Sequence, residues 1–235
     1  VRSRRQRQMC IRDSRTWPAV IDMAGLDLRY VREEDNEFVI GAMATQGDVE
    51  RFEPLQRFCG GAVVRGIKEI LGVQFRNMAT MGGSVASKFG FSDIIPALLA
   101  VHADIVTYKG GRMSMKDYMN YRERDILVEI RIPKREVPVA VEALRISRGD
   151  FPYLTGSIRR DDTAYEIYIG TRPGAPQLAE KASALLSEKG LDALDEAAQI
   201  ASEELVYQKN SHASKEYRIE MAKAMVCRLV KEVAQ

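Results

Sequence analysis

The chain has 235 residues, 46% of them hydrophobic and 29% charged, with a formal net charge of +2. That length allows one large domain or two modest ones, and the composition is that of an ordinary folded protein. The charge is too small for a nucleic-acid binder and no apolar run approaches the ~18 residues of a membrane span. The scattered cysteines, Cys10, Cys59 and Cys227, form neither a disulfide framework nor a C-x-x-C metal or cluster site, which suits a reducing, cytoplasmic setting.

Residues 1–15 are rich in arginine and lack apolar periodicity, so they read as a non-native leader. A signal peptide would need an apolar stretch that does not follow, and a basic nucleic-acid arm is the minor alternative. Short apolar runs at 19–23 and 37–42 predict strands. Thr45 is placed to cap a short helix opening near Gly47-Asp48-Val49-Glu50. Val63, Ile67, Ile70 and Leu71 recur at helical spacing, which predicts a helix over 61–71 closed by Gly72.

The stretch 74–93, QFRNMATMGGSVASKFGFSD, carries the most information. Its Gly82-Gly83 pair lies between Thr80 and Ser84. Adjacent glycines let a backbone take φ > 0 and approach a ligand. Successive N–H groups in such a turn make a concave anion site. By chemistry alone, 80–84 is either a phosphate cradle or a tight turn with no ligand. Beyond it, Pro96 in the first turn of the apolar segment 94–100 predicts a short buried helix, with Ser92 or Asp93 as its cap. Gly110-Gly111 between 104–109 and 112–115 signals a hairpin. A short helix is expected over 116–119. Alternation of Ile126, Val128, Ile130 and Ile132 marks a strand ending at Pro133.

The charged, proline-flanked segment 134–138 reads as a domain boundary. Strands are expected over 140–148, 153–159 and 164–170, with a turn inside 158–163 and a loop over 171–176. Helices are expected over 177–189, 191–206 and 214–233, the last with a stripe of Ala222, Val226, Leu229 and Val233. A three-stranded antiparallel sheet packed on helices is an α+β solution. His102 and His212 are isolated and make neither a triad nor a metal site.

Gln74, Arg76, Asn77, Ala79 and Thr80, the glycine pair, and then Ser92-Asp93, Pro96 and Leu98-Leu99 form one recognisable string. It resembles the phrase Q-I-R-N-x-A-T-I-G-G-N-I, then S-D-x-x-P-x-L-L-A-L-x-A, of the FAD-binding (medium) subunits of molybdenum hydroxylases, the xanthine dehydrogenase and carbon monoxide dehydrogenase type. The likeness continues through Arg112, through Asp125-Ile126-Leu127 to Ile132-Pro133, and into Tyr217-Arg218, so it covers residues 16–235. The resemblance implies an α+β fold: an FAD-binding domain of the PCMH (vanillyl-alcohol-oxidase-like) type over 16–135, its N-terminal lobe incomplete, and a CO-dehydrogenase-flavoprotein-like C-terminal domain over 136–235.

The same resemblance implies FAD as cofactor. Ala79, Thr80, Met81, Gly82, Gly83 and Ser84 would hold its diphosphate and ribityl region, Asp93 a polar part of it, Leu127 would border the flavin through its backbone, and Arg145 would place a positive charge beside the ring. Asp93 as a plain helix cap, Arg145 as a solvated strand residue and Ile70 as plain core are the bland alternatives. Arg76 either pins the loop or pairs with a phosphate, and Phe89 and Phe91 either cover a ring or join the core. Ser84 stands where the family phrase has Asn. The family's other glycine-rich loop, of the A-G-G-T-D-L kind, is missing upstream of Trp17, so these residues are expected to hold FAD less tightly than the full-length protein. The implied role is electron transfer from a two-cluster iron–sulfur partner, itself fed by a molybdopterin partner, to NAD or another acceptor, with no catalytic side chain and no metal on this chain. The alternative is a scaffold subunit that has kept the fold and lost the cofactor. A stand-alone oxidase of the vanillyl-alcohol type would need a substrate domain this chain lacks.

Overall fold

A computed structural model describes residues 21–235, so the expected leader, and Ala19 and Val20 of the expected first strand, lie outside the described residues. Residues 21–23 are irregular, which corrects that part of the strand expectation. The first sheet is built from β1 (Val31–Glu33), β2 (Glu37–Gly41), β3 (Asp104–Thr107), β4 (Gly111–Ser114) and β5 (Leu127–Pro133), in the order β1-β2-β5-β3-β4. Every neighbouring pair is antiparallel. The register sets Ile40 opposite Ile130 and Ile105 opposite the same residue, so apolar side chains line one face across three strands.

Short helices cover that face: α1 (Gln46–Arg51), α2 (Glu53–Arg57), α3 (Ala62–Lys68), α4 (Val73–Arg76), α5 (Met81–Ala86), α6 (Ile94–Ala100) and α7 (Met115–Asn120). Thr45 caps α1 as expected, in a full capping box with Asp48. The helix expected over 61–71 stops earlier, at Lys68. Leu71 takes the left-handed conformation (φ 42°), whereas Gly72 has φ −93° and leads into α4. The reason is Arg76, which is buried and draws in the carbonyls of Ile70 and Leu71 (both 3.1 Å), turning the chain there.

A second sheet, β6 (Val139–Leu144), β7 (Leu154–Asp161), β8 (Ala164–Gly170) and β9 (Gln177–Leu178), is antiparallel in that order. It has four strands where three were expected. Gln177 and Leu178 pair with Ile169 and Tyr168, and the ladder continues as Ala179 N–H donates to the carbonyl of Ile167. The next helix therefore begins at Glu180 rather than 177. Helices α8 (Glu180–Lys189), α9 (Leu194–Glu204) and α10 (Lys215–Ala234) pack on this sheet. The expected stripe of Ala222, Val226, Leu229 and Val233 is buried there. Arg218, fully buried, ties the start of α10 to the carbonyls of Tyr153, Gln208 and Ala213.

The two-residue period of β7 decides how the two parts meet. Leu154 and Ile158 face the three helices within the second core. Ser157 and Arg159 face the other way and donate to the carbonyls of Pro96 (2.7 Å) and Ala100 (3.3 Å) on α6. Tyr168 on β8 joins the first core. This sheet is therefore buried on both faces: one is apolar, and the other sets the polar Ser157 and Arg159 beside the apolar Val139 and Tyr168. His102 reaches Glu166 on β8 (2.6 Å) and Arg135 reaches Asp161 (2.7 Å) along the same seam.

Candidate cofactor site

The glycine-pair segment is the start of a helix, which differs from the loop the sequence suggested. Thr80 caps α5 through its hydroxyl, which accepts from Gly83 N–H (3.2 Å). Neither Gly82 nor Gly83 has positive φ. Their missing side chains serve close packing instead. A Cβ on Gly82 would lie 2.7 Å from the Ala42 carbonyl oxygen, and one on Gly83 would lie 2.9 Å from Thr80 Oγ1.

The N–H donors are also spent within the protein. Met81 donates to Ala44 (2.8 Å), Gly82 to Ala42 (2.9 Å) and Ser84 to Thr80 (3.1 Å). The phosphate cradle of free N–H groups expected at Gly82 and Gly83 is therefore not what the backbone presents. What remains open is a ribbon of small residues: Gly83 and Ala86 are exposed, and Ala79, Ser84 and Ser87 half-exposed. The exposed members of this ribbon carry no large side chain, while Met78 and Phe89 stand exposed at its two ends. Its polar groups are hydroxyls and carbonyls.

Asp93 and Arg145 are brought together. Arg145 Nη2 donates to Asp93 Oδ1 at 2.5 Å, with both side chains more than nine-tenths buried. Two further bonds fix the guanidinium, to the carbonyls of Asp150 (3.1 Å) and Ala143 (3.3 Å). Burial pushes the Asp93 carboxyl up to about 6, against the pull of the guanidinium beside it. Asp93 does not cap α6 with its side chain; Ser92 does, accepting from Ile95 N–H (3.2 Å). The reading of Arg145 as a solvated residue is likewise corrected, since its side chain is 6% exposed. Asp93 also borders a cavity of about 310 Å³ between α3 and the β6–β7 pair, floored by Gly66, Pro96 and Gly156.

Leu127 is buried at the start of β5. Ile70 is partly buried against the first core. Arg76 is not available to a phosphate: it holds Glu50 through two nitrogens (2.8 and 3.1 Å) and the two carbonyls already named. Asn77 receives Arg51 (3.0 Å), so both side chains pin the approach to α5. Phe89 and Phe91 are not core. They stack at 4.9 Å on the surface, and Phe91 meets Phe151 at 4.8 Å, with all three rings substantially exposed. Phe151 carries no signal in the sequence, because its partners are about sixty residues away along the chain and meet it only in the fold, beside the Asp93–Arg145 contact. The sequence reading passed over Gln46, whose amide Nε2 donates to Ser84 Oγ (3.0 Å). Among the described residues, no group of histidine, cysteine and carboxylate side chains is placed to hold a metal ion, and no helix is long and apolar enough to cross a membrane.

Comparison with known proteins adds to this geometry. A family model described as the FAD binding domain in molybdopterin dehydrogenase matches residues 6–135. Its match begins upstream of residue 16, within the segment read as a leader. A second, the CO dehydrogenase flavoprotein C-terminal domain, matches residues 140–233. Uncharacterised protein YgfM of Escherichia coli K12 is 27% identical over 144 residues, which are 60% of this chain and 53% of that one. The chain thus spans about half the length of that curated relative. The nicotinate dehydrogenase FAD-subunit of Eubacterium barkeri is 30% identical over 105 residues, 43% of this chain and 35% of the relative. Among solved structures, carbon monoxide dehydrogenase from Hydrogenophaga pseudoflava superimposes with a TM-score of 0.78 at 25% identity, covering 88% of this chain and 78% of that one.

Proposed function

The chain belongs to the family of FAD-binding domains in molybdopterin dehydrogenases, and on that premise we propose that it is the FAD-holding electron-transfer subunit of a molybdenum-dependent hydroxylase or dehydrogenase. The observation that carries the reading is the part-exposed ribbon of small residues at 79–87, which Ala42 joins to β5 by accepting from Gly82 N–H and donating to the carbonyl of Val128. The ribbon fits a long, polar, flat ligand better than a compact one.

Bound FAD would supply the redox chemistry, accepting and passing on electrons. The chain's own residues bind and orient. Ala79, Thr80, Met81, Gly82, Gly83 and Ser84 give a surface with no side chain larger than the buried Met81, so a chain of hydroxyls and phosphates can approach the backbone. Ser84 Oγ offers a hydrogen-bonding group there. The Asp93–Arg145 pair presents a carboxylate and a guanidinium held rigid by burial. With FAD bound, the positive member would favour negative charge on the flavin, and the carboxylate would be the group to accept a hydrogen bond from it. The Leu127 backbone, at the start of β5, would border the ring.

In this reading the substrate is hydroxylated on a molybdopterin partner and electrons arrive through a two-cluster iron–sulfur partner, leaving to NAD or another acceptor. The setting is cytoplasmic. The unit boundary falls between residues 135 and 136. One observation favours the scaffold alternative: the N–H groups of the glycine-pair segment are already bonded within the protein. Purification of the protein followed by FAD titration decides between them. Stoichiometric uptake with quenching of flavin fluorescence supports the flavoprotein reading, whereas a colourless protein that ignores added FAD supports the scaffold.

A further inference from the structure

Gln46 opens α1 directly under the ribbon. Its backbone N–H donates to the carbonyl of Ala79 (2.9 Å), and its side-chain Nε2 donates to Ser84 Oγ (3.0 Å). One residue therefore grips both ends of the 79–84 stretch. Ser84 Oγ in turn gives its proton to the carbonyl of Thr80 (2.8 Å). A hydroxyl has one proton and two lone pairs. With the proton committed to Thr80 and one lone pair to Gln46, Ser84 has a single lone pair left and can only accept.

The other half of the amide is unsatisfied. Gln46 is 2% exposed, and its Oε1 is buried without a hydrogen-bond partner. Reversing the amide does not cure this, because the NH₂ would then be the orphan. A buried unpaired amide function is destabilising, and filling this space needs only an apolar side chain of similar length. An amide kept here at a loss of stability points to a role in binding. Its partner, Ser84, occupies the place where the family phrase has Asn, so Gln46 and Ser84 together set an amide and an oxygen where one longer residue would otherwise serve.

We propose that Gln46 is a positioning residue of the cofactor site, holding Ser84 so that its free lone pair accepts a hydroxyl of the FAD polyol chain. The inference rests on the FAD reading of this site. FAD is titrated into the purified protein and into Gln46→Leu, Ser84→Asn and the double variant, with unfolding midpoints measured without flavin. Gln46→Leu is expected to weaken FAD binding about tenfold, equivalent to ~1.4 kcal/mol, with an unchanged or raised midpoint. Adding Ser84→Asn to that variant restores affinity to within about threefold, because the longer amide reaches the polyol without help from below. Gln46→Asn keeps the amide but shortens its reach; it loses affinity likewise, and carries the test if Gln46→Leu does not fold. FAD binding by the Gln46 variants equal to wild type, or a loss that Ser84→Asn does not restore, overturns the inference alone. A wild-type protein that takes up no FAD overturns the cofactor reading and this inference with it.

Discussion

Replacing Arg145 with Met removes the guanidinium from a buried carboxylate, and the cost can be worked from Asp93. In the native fold Asp93 titrates near 6, against an ordinary value of 3.8. Its folded value is raised, so its contribution to stability is fully present below about pH 4 and is lost as pH rises through about 6. At about 1.4 kcal/mol per unit, the ionised Asp93 already costs the native protein ~3 kcal/mol at pH 7. Without Arg145 the carboxyl escapes by staying protonated, which caps its cost at about 4 kcal/mol at pH 7, the work of protonating an ordinary Asp there. The charge effect of Arg145→Met is therefore on the order of 1 kcal/mol at pH 7 and close to zero at pH 5, where both proteins hold Asp93 largely protonated. Loss of the guanidinium's bonds to Ala143 and Asp150 adds a part that does not depend on pH. Urea unfolding of the native protein, Arg145→Met and Asp93→Asn at pH 5 and pH 7 separates the two parts. Equal destabilisation of Arg145→Met at both pH values would refute the argument that Asp93 is the group left stranded. So would a native stability profile between pH 4 and pH 7 that Asp93→Asn leaves unchanged.

Arg76→Met is expected to cost about 3–5 kcal/mol in chemical unfolding, because it strands the Glu50 carboxylate and frees the Ile70 and Leu71 carbonyls; Arg76→Lys should recover little, since a single ammonium cannot span all four contacts. Gly82→Ala forces a methyl against the Ala42 backbone and should destabilise by about 1–3 kcal/mol, while Gly83→Ala meets only the capping Thr80 hydroxyl and should cost about 1 kcal/mol, the worth of that cap; thermal melts rank the two. Cys59 is 1% exposed and burial pushes its thiol up to about 11, so a maleimide or iodoacetamide time course at pH 7.5 should label Cys227 well before Cys59.

Local chemistry made much of the fold legible in the sequence. Thr45 with Asp48, Pro96 in an apolar run, and the alternation from Ile126 to Ile132 each specify an element through interactions a few residues long, and each element formed where they indicated. The misreadings come from distant contacts. Nothing near Leu71 announces a left-handed residue; the bend follows from a guanidinium five residues on whose carboxylate partner lies on α1. The glycine pair looked like a turn because glycine signals positive φ most often, but here its need is the Ala42 backbone across a bridge between Thr45 and Thr80. Ile169 and Tyr168 capture Gln177 and Leu178 as an edge strand for the same kind of reason. Of the candidate site, the resemblance supplied the residues, whereas the mutual pairing of Asp93 and Arg145 and the grip of Gln46 on Ser84 needed three dimensions.

The polar face of β7 limits how these two units can be exchanged between relatives. Ser157 and Arg159 meet carbonyls four residues apart on α6, and the strand's two-residue period sets that spacing. A C-terminal unit borrowed from another flavoprotein would have to carry donors at the same two places. One lacking them would take the Ser157 and Arg159 donors from the α6 carbonyls, and would also need a counterpart of the Arg145 that reaches back to Asp93. The two sides are thus matched, and a chimera would have to reproduce the two β7 donors together with Tyr168, the His102–Glu166 and Arg135–Asp161 contacts and the Asp93–Arg145 pair.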